Sequence, residues 1–210
     1  GRGLHACPTT ATPHVAFHAP RTGAPTQAGQ VARRVHSLRP MSLQITRASP
    51  AEYPILRNLY PLYLHDLSEY GGGYSLDGQG IWQPDYLPTW LTESAQAHPL
   101  LFRWSDRPVG FAFVGQAPFP YMTPGRDFRL SEFFISRSHR RHGLGQQAAR
   151  VVFDRFRGVW ELSQLRENRG AIAFWRRVLT AYTGGAFQET LIDGDPAQVF
   201  DNRHLPPPHP

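Results

Sequence analysis

Ser136-Arg137-Ser138-His139-Arg140-Arg141-His142-Gly143-Leu144-Gly145-Gln146 is the stretch on which the reading of this 210-residue chain turns. It lies between a strand-like run, Phe128 to Ile135, and a helix-like run, Leu144 to Arg157, which places Leu144, Ala148, Val151, Val152 and Phe156 on one face. The two glycines let the backbone approach a ligand closely. The loop and first helical turn offer unpaired amides at the positive end of a helix dipole. Such a turn holds phosphate, and Arg140, Arg141 and His142 add positive charge at the same spot. Gly143 to Ala148, GLGQQA, also fits a dinucleotide-binding GxGxxA. Seven residues separate Ile135 from Gly143, however, whereas a dinucleotide turn runs almost directly from strand to first glycine. A plain basic cluster, solvated or contacting nucleic acid, is the remaining alternative.

Working outward, Leu43 and Ile45 alternate with polar residues in Ser42 to Arg47, as in a half-buried strand. Ser49-Pro50-Ala51-Glu52 is a capping box with Pro at the first helical position, so a helix starts there. Ile55, Leu56, Leu59, Tyr60, Leu62 and Tyr63 continue its apolar face, and Pro61 is expected to kink or split it. Tyr70 to Gly80 reads as a glycine-rich loop, followed by a short helix from about Leu87 to Ala97. Leu100 to Trp104, Val109 to Gly115 and Phe128 to Ile135 form an antiparallel meander. After the helix come a strand, Val159 to Ser163, and a helix from Arg169 to about Thr180. This strand, helix, strand unit implies a parallel pair inside an otherwise antiparallel sheet. Ala186 to Leu191 and Gln198 to Asn202 are two weaker strands.

The length suits one domain with appendages. Apolar residues at 40% and five Trp suffice for a core, and no stretch approaches the ~18 consecutive apolar residues of a membrane span. Cys7 is the single cysteine, which excludes disulfide frameworks and Cys-based zinc sites and fits a reducing, cytoplasmic setting. All 22 basic residues are Arg, and five of them lie in residues 1–40, where there is no acid. The 17 remaining Arg face 16 acids, so the +6 of the chain is mostly a property of that leader. A nucleic-acid partner is therefore not expected for the folded domain. Residues 1–40 read as a disordered basic leader, 41–205 as the folded domain, and 206–210 as a disordered stub. The leader has transit-peptide character without the Ser enrichment or amphipathic pattern, and translation starting at Met41 is the preferred alternative to a functional tail.

Arg140-Arg141-His142-Gly143-Leu144-Gly145 resembles the Arg/Gln-x-x-Gly-x-Gly/Ala signature of the GNAT superfamily of N-acetyltransferases, which bind the pyrophosphate of acetyl-coenzyme A there. Glu132-Phe133-Phe134-Ile135 looks like the family's fourth strand. Asn168, Ala171 and Phe174-Trp175 look like its Asn-x-x-Ala-x-x-Phe-Tyr segment. FDRFRGVWEL, ENRGAIAFWRRV and TGGAFQE are similar to a bacterial branch of predicted acetyltransferases. The resemblance implies an α/β GNAT fold, a mixed and mostly antiparallel sheet with a splayed central parallel pair and helices on both faces. It implies acetyl-CoA as co-substrate, with backbone of Phe134 and Ile135 on the pantetheine arm. Arg140, Arg141, His142, Gly143, Leu144, Gly145 and Gln146 would lie at the pyrophosphate and Asn168 would be a side-chain contact.

Acetyl transfer to a primary amine, direct and through a tetrahedral intermediate, needs a base, donors for the oxyanion and a proton for the thiolate. Glu132 is the only carboxylate on the fourth strand. It is either a base, its pKa raised by burial, or a structural acid paired with an Arg, and a water chain would also serve. The family's usual Tyr position holds Trp175, which cannot protonate sulfur. Tyr182 is the substitute, unless the thiolate leaves unassisted. The acceptor site implied by the family is about Tyr60 to Tyr86, whose aromatics and acids suit an amine, with Tyr60 and Tyr63 assigned to the core. The acceptor is a small molecule or peptide amine, no metal is expected, and monomer and homodimer are both compatible. A non-catalytic acyl-CoA sensor or a nucleic-acid-associated module is the alternative from another class.

Overall fold

The computed structural model describes residues 42–206, apart from Gly72 and Glu93. The expected leader, and all of the expected stub but Pro206, lie outside the described residues.

The chain forms β1 (Leu43–Arg47), α1 (Tyr53–Leu67), β2 (Ser75–Leu76), β3 (Trp82–Gln83), α2 (Leu87–Trp90), β4 (Ala97–Trp104) and β5 (Arg107–Gln116). It continues through β6 (Phe128–Ile135), α3 (Leu144–Arg155), β7 (Val159–Ser163), α4 (Arg169–Thr183), β8 (Phe187–Ile192) and β9 (Asp195–Asp201). Seven strands make one sheet in the order β1-β4-β5-β6-β7-β9-β8. Every neighbouring pair is antiparallel except β6 with β7. This is the GNAT arrangement the sequence implied.

Side chains alternate across the sheet and build a core on each face. Ala112 and Val114 of β5 turn toward α3 and α4, where Trp160, Phe153 and Leu179 are fully buried. Phe111 and Phe113 turn toward α1 and α2, against Leu56, Tyr60, Leu64 and Trp90. The meander forms as expected. Its first turn is a tight two-residue hairpin with Ser105 and Asp106 at φ 49° and 67°, the mirror-image turn that matches strand twist.

Two expectations need correction in part, for identifiable reasons. Pro61 does not split α1, which runs unbroken to Leu67. Leu56, Tyr60 and Leu64 recur every fourth residue and anchor one face to the sheet, while Pro61 is exposed and loses its single bond on the solvent side. The helix placed over Leu87 to Ala97 is only Leu87–Trp90, and β4 starts at Ala97, three residues before the expected start. His98 and Pro99 mask a strand whose first six residues are all buried, because a strand covered on both faces shows no alternation.

Candidate active site

The parallel pairing of β6 with β7 lasts for three residue pairs, Phe128 with Trp160, Arg129 with Glu161 and Leu130 with Leu162. Beyond them the strands part. A bulge helps, since Leu130 and Glu132 pair with adjacent β5 residues, Val114 and Phe113, and Ser131 is left over as the extra residue. The buried ion pair of Arg129 Nη1 with Glu161 Oε1, 3.1 Å, clasps the strands just before they diverge. Arg129 Nη2 also donates to Ser163 Oγ at 3.2 Å.

A cavity of about 550 Å³ lies against the end of β6, the β6–α3 loop and α4. The N-termini of α3 and α4 both open onto it, through Gly143, Gly145 and Gln146 and through Asn168, Gly170 and Ala171. Gly143 caps α3 at φ 78°, a left-handed conformation costly for other residues. A Cβ there would meet nothing within 4 Å. No side chain caps α3, so its first-turn amides are free to face a ligand at the positive end of the helix. A Cβ on Gly145 would press the Phe174 ring at 3.3 Å, so this glycine allows α3 and α4 to meet closely.

Arg140 is held on three sides. Its Nε donates to Ile135 O at 2.6 Å, its Nη2 donates to Asp66 Oδ2, and its guanidinium lies 5.5 Å over the Phe134 ring. Arg137, Arg141 and Arg177 line the same cavity.

A second cavity, about 290 Å³, adjoins the first and shares Tyr63, Leu67, Phe133, Asn168 and Ala171 with it. Glu132 lies in its wall with Tyr74, Arg129, Trp175 and Asp195. Burial pushes the Glu132 carboxyl up to about 7, against the opposing pull of the Tyr63 hydroxyl and the Arg129 guanidinium. Tyr63 is pushed well above the usual phenol range by burial and by Glu132, and Tyr74 is pushed up to about 12 by the same causes. Both hydroxyls therefore stay protonated around a carboxylate that titrates near neutrality.

Of the residues expected at the cofactor, Phe134, Ile135, Arg140, Arg141, Gly143, Gly145, Gln146 and Asn168 line the larger cavity. His142 and Leu144 do not. His142 is exposed, and the Leu144 side chain is buried in the core, leaving only its backbone at the helix terminus. Asn168 is also committed locally, its Oδ1 accepting from Ala171 N at 2.9 Å to cap α4. Of the Phe134 and Ile135 backbone expected at the pantetheine arm, the two carbonyl oxygens point to partners within the chain. Phe134 O faces β5, where a Cβ on Gly110 would lie 2.1 Å from it, and Ile135 O accepts from Arg140.

Tyr182 falls outside the site. It lines neither cavity, and its hydroxyl donates to Asp154 at 2.9 Å and accepts from Asn202 Nδ2 at 3.3 Å within the packing of α3, α4 and β9. Tyr182→Phe is expected to cost about 1 kcal/mol of stability through the lost hydrogen bonds. It should leave kcat within about twofold of wild type, as a change remote from the site does. Thermal melting and steady-state rates check the two halves. Tyr63 moves the other way. The apolar helical face placed it in the core, and it does pack edge-on against Phe111, yet it lines both cavities and faces Glu132. Arg129, Arg137, Arg177 and Asp195 carried no local signal. Among the described residues no group of three or more His, Cys, Asp or Glu is placed to hold a metal ion, and no helix is long and apolar enough to cross a membrane.

The Acetyltransferase (GNAT) family model matches residues 59–179, which covers more than half of the chain and both cavity-forming loops. The chain belongs to that family, whose members use acetyl-CoA for acetyl transfer. An acetyltransferase from Thermus thermophilus superposes with a TM-score of 0.54 at 18% identity, over 77% of this chain and 97% of that one. A Corynebacterium glutamicum protein described as histone acetyltransferase HPA2 and related acetyltransferase gives 0.53 at 16% identity, over 81% and 99%. Both share the fold. A search of curated proteins finds no significant sequence match. The residues present fit the donor, since open space at Gly143, uncapped α3 amides and four guanidinium groups line one cavity, a donor set suited to phosphates.

Proposed function

We propose that residues 41–205 form one catalytic domain that transfers an acetyl group from acetyl-CoA directly to the primary amine of a small acceptor. The observation that carries this reading is the shared wall of the two cavities, which have Tyr63, Leu67, Phe133, Asn168 and Ala171 in common. The larger has the features of a phosphate site, and the smaller places Glu132 among Tyr63, Tyr74, Phe133 and Trp175. A volume of about 290 Å³ suits a small molecule or a single amine-bearing side chain, and carboxylate with aromatic walls suits an ammonium group.

When bound, acetyl-CoA supplies an activated thioester. The chain's own residues do the rest. Glu132, titrating at about 7, takes the proton of the entering ammonium at neutral pH. The uncapped amides of α3 and the arginines of the loop orient the donor. Tyr63, protonated and lining both cavities, delivers a proton to the departing thiolate in the place that Trp175 cannot fill and regains one from the protonated Glu132 carboxyl beside it, while the surplus proton of the amide nitrogen leaves to solvent.

The test is release of free thiol from acetyl-CoA with a panel of primary amines, alongside matched alcohols. Turnover with amines alone supports the proposal. Binding of acetyl-CoA without turnover of any acceptor would move the protein to the sensor class.

A further inference from the structure

The last turn of α1 brings a carboxylate into the phosphate loop. Asp66 Oδ1 accepts from Arg137 Nε at 3.0 Å and lies 2.8 Å from Arg137 Nη2, while Asp66 Oδ2 accepts from Arg140 Nη2. The Asp66 side chain is 17% exposed, against 67% for Arg137 and 39% for Arg140, so the carboxylate is inserted between the guanidinium groups from the protein side. All three residues line the larger cavity. Burial works to raise the Asp66 carboxyl, but the hydrogen bonds from Arg140 and Arg137 outweigh it and hold the group below the usual carboxylate range. Asp66 is therefore ionised at neutral pH, and it engages Arg137 through one carboxylate oxygen and Arg140 through the other, occupying donors that a phosphate would also use.

We propose that Asp66 is an affinity-moderating residue of the cofactor site, a resident carboxylate that competes with the ligand's phosphates for Arg137 and Arg140. The inference rests on the acetyl-CoA reading of the larger cavity. Arg137 and Arg140 together carry two positive charges, and Asp66 cancels one of them. A ligand gains at this loop in proportion to the negative charge that it brings. One with several phosphate charges recruits the guanidinium groups from Asp66, and an uncharged pantetheine thioester recruits neither. Asp66 thereby holds the affinity for every phosphate-bearing ligand, spent CoA included, below what the arginines alone would give, and leaves that for an uncharged fragment unchanged.

The experiment is calorimetric titration of wild type, Asp66→Asn and Asp66→Glu with CoA, dephospho-CoA and pantetheine, at low and at moderate salt. Asp66→Asn is expected to bind CoA about three- to tenfold more tightly at low salt, as removal of one like charge within about a Debye length predicts. The gain should be smaller for dephospho-CoA, absent for pantetheine, and reduced as salt rises. Asp66→Glu keeps the charge and should show no gain. Unchanged or weaker CoA binding by Asp66→Asn would overturn the proposal and make Asp66 a scaffold that aligns the arginines. Failure of wild type to bind CoA at all would instead overturn the cofactor reading on which the proposal stands.

Discussion

Gly143→Trp is expected to abolish acetyl-CoA binding, with a loss of at least about a hundredfold in Kd. Charge-assisted hydrogen bonds contribute roughly 1.5–3 kcal/mol each, and the indole would displace a phosphate from two or more of them. The substitution is well placed because a Cβ at Gly143 points into open space beside uncapped amides, so bulk added there enters the ligand's volume rather than the core. At φ 78° any side chain also incurs the left-handed backbone penalty, about 1–2 kcal/mol. Gly143→Ala separates the two effects. It carries the same strain with only a methyl group of added volume, so it should melt like the Trp variant but retain most of its affinity. Calorimetry and thermal melting on both variants make the comparison, and full acetyl-CoA affinity in Gly143→Trp would remove the loop from the cofactor site.

The second large effect is expected at Glu132. Glu132→Gln should lower kcat by about 10²–10⁴-fold, the usual contribution of a positioned general base. The pH profile is the more telling readout. With the carboxyl pushed up to about 7, wild-type activity should rise as pH increases through that value and then level, and in Glu132→Gln this limb should disappear. An unchanged limb would assign it to another group, the acceptor amine included.

The same group makes a linked prediction about stability. Its folded pKa is raised above the unfolded value, near 4.5, so the native state binds more protons between about 4.5 and 7 and stability falls as pH rises across that window. Above it, ionised Glu132 costs up to about 3 kcal/mol, taking about 1.4 kcal/mol per pKa unit. Glu132→Gln should therefore melt at a higher temperature than wild type at pH 8 and at about the same temperature near pH 4. A carboxyl held in a partly buried cleft carries this penalty whenever it ionises.

The run from Ser136 to Gln146 was readable because its physics is local. A left-handed glycine, an uncapped helix start and nearby arginines need only neighbours in the chain to form a phosphate-holding turn. The strands and the order of elements were readable for the same reason, since alternation and helical period are properties of short windows. The errors come where a residue's surroundings are set by distant segments. Tyr182 read as the substitute acid and Tyr63 as a core residue, yet α4 carries Tyr182 onto Asp154, while α1 carries Tyr63 to Glu132.

What the sequence determined by itself, then, was the family fold, the glycine- and arginine-bearing loop before α3 and the presence of one carboxylate on β6. Only the tertiary structure decided which groups surround that carboxylate, which of the ten expected cofactor residues reach the cavity, and that Asp66, more than 70 positions away from Arg137 and Arg140 in the chain, sits between them. Those outcomes depend on desolvation and on charges meeting across the strand gap. Both are properties of three-dimensional proximity, which no local window of residues records.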